Sequence, residues 1–87
     1  MKRDVTITTR AEGVKVWVDG EAVALNNGDG TITVAPGPHT LSWAVRGAPG
    51  TTYSVKITSP KEAKLDEGDT FDDDGIDVGE DDFTVNK

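Results

Sequence analysis

The sequence predicts an all-β fold, a small antiparallel β-sandwich of about seven or eight strands. Three observations predict it. Short segments alternate apolar and polar residues with period two, the pattern of half-buried strands. Clusters of Gly, Pro, Asn and Asp separate those segments. No stretch sustains a helical period, and the threonine-rich composition suits a pleated surface better than a helix.

The elements follow in chain order. Val5-Thr6-Ile7-Thr8-Thr9 alternates as a first strand. Val14-Lys15-Val16-Trp17-Val18 alternates again, with three valines on one face. Asp19-Gly20 supplies a hairpin turn, because both residues tolerate positive φ at little cost. Glu21 to Leu25 reads as a short return strand, and Asn26-Asn27-Gly28-Asp29-Gly30 is a dense turn cluster. Thr31-Ile32-Thr33-Val34 is the next strand, closed by Ala35-Pro36-Gly37-Pro38. Residues 40–46 set Leu41, Trp43 and Val45 against Ser42 and Ala44. Gly47-Ala48-Pro49-Gly50 breaks that strand, and residues 52–58 set Tyr53, Val55 and Ile57 against Ser54 and Lys56. Ala63-Lys64-Leu65 and Asp82 to Asn86 are expected to be further strands. The expected core is Val16, Val18, Ile32, Val34, Leu41, Trp43, Val45, Val55 and Ile57.

Charge divides the chain. Residues 1–59 hold six Lys/Arg against five acids, while residues 60–87 hold three Lys against eleven acids. The sequence thus reads as one domain over 1–87: a near-neutral body, 1–59, and acidic C-terminal strands and loops, 60–87. Ser59-Pro60 marks the boundary, where proline interrupts an element. Only 34% of the 87 residues are hydrophobic, which leaves a small core with no room for a large buried active site. The absence of cysteine excludes disulfides, thiolate zinc sites and thiol catalysis. A net charge of −7 argues against nucleic-acid binding through a basic surface. No apolar run is long enough for a helical membrane span, and Met1-Lys2-Arg3-Asp4 reads as the approach to a strand rather than a signal peptide.

Two motifs in the body resemble those of PEGA domains. Val14-Lys15-Val16-Trp17-Val18-Asp19-Gly20-Glu21 is close to that family's strand followed by Val-Asp-Gly and a polar residue. Val34-Ala35-Pro36-Gly37-Pro38-His39-Thr40-Leu41 is close to its Pro-Gly-x-His-x-Leu signature. The resemblance covers about residues 4–58 and extends to the related immunoglobulin-like sandwiches. Arg46-Gly47-Ala48-Pro49-Gly50 stands where the family places a Gly-aromatic pair, and the acidic third has no counterpart in the motif. The resemblance implies a structural or binding module from a larger bacterial surface or envelope protein, placed outside the cytoplasm. It carries no catalytic residues.

Four features are weighed for chemistry. His39 is the only histidine, with Ser42 near it in sequence, but no nucleophile elbow or third member accompanies them. The expected role of His39 is therefore to bond the backbone of the preceding turn. Trp43 shares a face with Leu41 and Val45 and belongs to the core. Trp17 lies opposite the valines of its strand, so it should face outward, free to stack on a sugar or anchor a partner. The blander reading is that it packs under the acidic segment or on a neighbouring domain of a longer parent.

Residues 66–82 hold ten acids and no base. Water, a hard cation or a basic partner must relieve their repulsion. Asp72, Asp73, Asp74 and Asp77 are candidate calcium ligands, since calcium takes six to eight oxygens from flexible loops. An EF-hand register fails: with Gly75 at loop position six, position eight is Asp77 and position twelve is Asp81. Phe71, Ile76, Val78, Phe83 and Val85 are spaced through the segment, which sets it apart from a disordered tail. The expected function is a non-catalytic structural or binding module with a protein or carbohydrate partner. The alternatives are a calcium-stabilised carbohydrate-binding module using Trp17, and a small acidic inhibitor that mimics a polyanion.

Overall fold

A computed structural model describes residues 2–86. Its strands are β1 (Arg3–Arg10), β2 (Gly13–Val18), β3 (Glu21–Val23), β4 (Asp29–Val34), β5 (Gly37–Arg46), β6 (Thr52–Ser59), β7 (Leu65–Thr70) and β8 (Ile76–Val85). They form two four-stranded antiparallel sheets, ordered β4-β1-β6-β7 and β3-β2-β5-β8. The first sheet is called A below and the second B. The C-terminal third contributes one strand to each sheet: β7 lies at the edge of A and β8 at the edge of B.

The turns form where the sequence places small and amide residues. Asp19 and Gly20 adopt φ of 52° and 84°, the left-handed pair that a two-residue hairpin requires between β2 and β3. Asn27 and Gly28 repeat it at 54° and 87°, with Asn26 and Asp29 exchanging backbone hydrogen bonds across the turn. Gly28 also sits against β1. Its carbonyl accepts from the Thr9 amide and hydroxyl, each at 2.8 Å, and a Cβ there would lie 2.6 Å from the Thr9 carbonyl. Thr9 is thereby both buried and hydrogen-bonded.

Between the sheets lie Val16, Val18, Val34, Leu41, Trp43, Val45, Val55 and Ile57, as the alternation requires. Ile32 is the exception. It is only partly buried, because β4 is an edge strand and covers its inner face on one side alone. The core also takes Val5 and Ile7 from β1, Val23 from β3 and Tyr53 from β6. The hydrophobic core also takes Ala63, Leu65, Phe71, Phe83 and Val85 from the acidic third.

That third departs most from its sequence reading. The strand expected at 63–65 begins at Leu65 and runs to Thr70, after a single 3-10 turn at Lys61–Ala63. The strand expected from Asp82 begins six positions earlier, at Ile76. Between them Phe71 enters the core and closes one end of the sandwich, its ring 5.2 Å from that of Tyr53. The Phe71–Gly75 connection is laced to the β5–β6 loop by backbone bonds: Phe71 N–H to Thr51, Gly50 N–H to Phe71 and Gly47 N–H to Gly75. A Cβ on Gly47 would lie 2.6 Å from the Phe71 ring, so a side chain there would displace the plug.

Candidate binding surface

The outer faces of the two sheets differ. Sheet A turns out Thr6 and Thr8 from β1, Thr31 and Thr33 from β4, and Thr52 and Thr58 from β6, a hydroxylated face. Across the outer face of sheet B, register places Ala22, Trp17, Ser42 and Glu80 in one row, and Lys15, Ala44 and Val78 in the next. Arg46 and Ile76 stand beyond them. A shallow groove passes over Ala44, walled by Lys15, Arg46 and Ile76. Ile76 and Val78 are 60% and 68% exposed, which is unusual for two large aliphatic side chains on one strand.

The cause is an inversion within β8. Alternation carries Asp77, Gly79 and Asp81 to the inner side of the strand and Ile76, Val78, Glu80 and Asp82 to the outer side. Asp77 is tolerated inside because the Tyr53 hydroxyl donates to it at 2.7 Å. Burial, and then this carboxylate, raise the Tyr53 pKa above 10.0. Gly79 leaves space that the Trp43 indole fills, since a Cβ at 79 would lie 2.6 Å from the ring. Asp81 faces Glu67 of β7, and this neighbouring acid raises the Glu67 pKa above its ordinary value.

β8 is also an open edge. Among the described residues no strand accepts from the amides of Val78 and Asp82. They donate instead to the carboxylates of the preceding residues, Asp77 at 2.9 Å and Asp81 at 2.8 Å. Thr70 on the edge strand β7 does the same with Asp69, at 2.7 Å. Because β7 and β8 border the same side of the sandwich, the charge excess of the C-terminal third becomes one acidic flank.

The residues singled out from sequence fall in several places. Trp17 is half-buried on the outer face of sheet B, between Ala22 and Ser42. β5 separates it from β8, so the acidic segment does not cover it. Asp72, Asp73 and Asp74 are exposed in the turn closed by the Gly75 amide on the Asp72 carbonyl, at 3.0 Å. Asp77 lies apart, committed to Tyr53 and Val78. Among the described residues no three acidic or histidine side chains gather to hold a metal ion.

His39 bonds the turn as expected, through the Ala35 carbonyl at 2.6 Å, and it does more. Its other nitrogen meets Asp19 at 2.6 Å, and its ring stacks on Phe83 with centroids 5.5 Å apart. Both partners are acceptors, so the doubly protonated ring satisfies both bonds. Asp19 raises the His39 pKa above 6.5, and His39 in turn lowers that of Asp19 below 3.8. Asp19 also accepts the Thr40 amide at 2.9 Å, tying the β2–β3 turn to β5. Ser42 points to the opposite face of β5 from His39, so the two do not form a nucleophile–base pair. No described helix is long and apolar enough to cross a membrane.

Searches against protein-family models, curated proteins and solved structures each found no match to this chain. The surface features sequence reasoning missed are Ile76, Val78 and the capped edge. Their signal was the alternation Ile76-Asp77-Val78-Gly79-Glu80, which the density of acids made read as loop.

Proposed function

We propose that the chain is a non-catalytic binding module that engages a protein partner through the outer face of sheet B and its β8 edge. The carrying observation is the pair Ile76 and Val78, turned outward on an open edge strand while acids occupy the inner positions. Folding alone gives no gain from this arrangement, since the apolar area remains in water. Removing it from water on binding gives one. The small side chain of Ala44 leaves the groove that an incoming residue would fill. The PEGA-like motifs support the wider reading of a module within a larger envelope protein.

A displayed peptide library selected against the folded chain tests the reading. Enriched peptides should lose binding to Ile76→Asp with Val78→Asp and keep it with Thr6→Asp and Thr8→Asp on the other sheet. Enrichment that is indifferent to the first pair overturns the assignment. Glycan binding abolished by Trp17→Ala would instead establish the carbohydrate-binding alternative.

A further inference from the structure

Resting on that reading, the geometry points to the partner class: an extended basic segment of another protein, added to β8 as a further strand of sheet B. Strand addition needs an unpaired ladder, and alternate residues of the ten-residue β8 offer one. The amides of Val78 and Asp82 fix which groups face outward. Period two then places Glu80 and Thr84 on the same open side.

What covers the edge selects what can replace it. Each outward amide at 78 and 82 is held by its neighbour's carboxylate, and such inward or self-capping charges keep edge strands from pairing freely. A neutral strand would displace Asp77 and Asp81 from these amides and leave both carboxylates without that donor. A strand bearing Lys or Arg at alternate positions supplies its carbonyls to the amides and its cations to the released carboxylates. Glu67 and Asp69 on β7 face the same gap and add to the demand for positive charge. On the outer side the same strand would meet Ile76 and Val78 at the start of β8, where they favour aliphatic residues at the intervening positions, before Glu80 and Asp82 follow. The fitting pattern is therefore alternating basic and aliphatic. A second copy of this chain fits poorly, because β8 carries Asp77, Glu80, Asp81 and Asp82 and no base.

The probe is an end-capped decapeptide of alternating Lys and Val, followed by nitrogen-15 shift mapping and amide exchange on the intact chain. Three comparisons accompany it: the same peptide N-methylated at alternate residues, the Glu-Val peptide, and the variant Glu67→Lys with Asp81→Lys. The Lys-Val peptide should bind along β8, slow exchange at Val78 and Asp82, and weaken with salt. N-methylation should cost at least about tenfold in affinity, because it blocks edge hydrogen bonds without changing charge. The double Lys variant should shift preference toward the Glu-Val peptide. Equal binding of the methylated peptide overturns strand addition in favour of adhesion by charge. Absence of Lys-Val binding, when library peptides still map to Ile76 and Val78, overturns the basic-segment proposal and leaves the binding face standing. Loss of library binding at that face overturns both. Concentration-dependent pairing through β8 would assign the edge to a second copy.

Discussion

In the second half of β8, Phe83 and Val85 point into the core and Thr84 points out; in the first half, Ile76 and Val78 point out while Asp77 and Gly79 point in. Both halves share one uninterrupted ladder with β5, from Gly37↔Val85 to Arg46↔Ile76. The difference shows where folding constrains the strand. Phe83 and Val85 anchor it, and His39 stacks on Phe83 while binding Asp19. In the first half β5 does the filling, since the Trp43 indole occupies the space under Gly79. Backbone pairing with β5 continues there without help from inward apolar side chains, which leaves the outer residues available for another purpose.

The strongest way to break this comparison is to remove the anchor. Phe83→Ala should cost about 3–5 kcal/mol, the usual loss for a buried aromatic ring. That is a large share of the stability of a domain this small. Urea denaturation measures it. A cost below about 1 kcal/mol would show that the second half is not what holds β8 in place.

Gly79→Ala probes the first half from the inside. The added Cβ would meet rigid indole atoms of a buried ring, not the end of a flexible chain. Overpacking of this kind costs about 1–3 kcal/mol, and it should alter the near-ultraviolet circular dichroism of Trp43. A neutral substitution would mean that the indole does not support β8 at this position.

The clasp on the second half adds a pH dependence. His39 has its pKa raised above 6.5, so its stabilisation is fully present below the unfolded value and fades as pH rises through the folded one. Asp19 has its pKa lowered below 3.8, so its stabilisation is present above that value and is lost as pH falls through the folded one. His39→Gln should therefore flatten the alkaline side of the melting-temperature profile while the protein remains folded. If wild type and variant run parallel from pH 6 to 9, the imidazolium is not part of the clasp.

The two halves were also unequally legible. Phe83-Thr84-Val85 announces a strand by apolar alternation, and the body strands are readable for the same reason. Asp77-Val78-Gly79-Glu80 alternates too, but its apolar positions face water, and its acids and glycine imitate a turn. Hydrophobic pattern reports burial, so it cannot locate a strand held by its neighbour's backbone and filled by its neighbour's indole. The acidic flank was half legible. The excess of acids after Pro60 is plain in sequence, whereas its gathering on one side depends on β7 and β8 being edges of different sheets. The His39 contact with the Ala35 carbonyl follows from the turn, but its contact with Asp19 joins residues twenty apart and needed the fold.

The smallest expected effect on stability sharpens the comparison most, because one substitution is made in both halves. Val→Thr keeps a β-branched side chain of nearly equal size and adds a hydroxyl, so strand propensity changes little. At Val78, 68% exposed, that hydroxyl stays hydrated, and the stability change should fall within about 0.5 kcal/mol. Ile76→Thr should behave similarly. At Val85, 1% exposed, the same hydroxyl enters the core, and an unpaired buried hydroxyl costs about 1–3 kcal/mol. Peptide binding should respond in the opposite order: the outer pair weakens it, and Val85→Thr leaves it intact in the molecules that remain folded. Equal stability costs at 78 and 85 would show that the outer residues are part of the folding core after all, and the outward-facing surface would lose its reason to be read as a binding face.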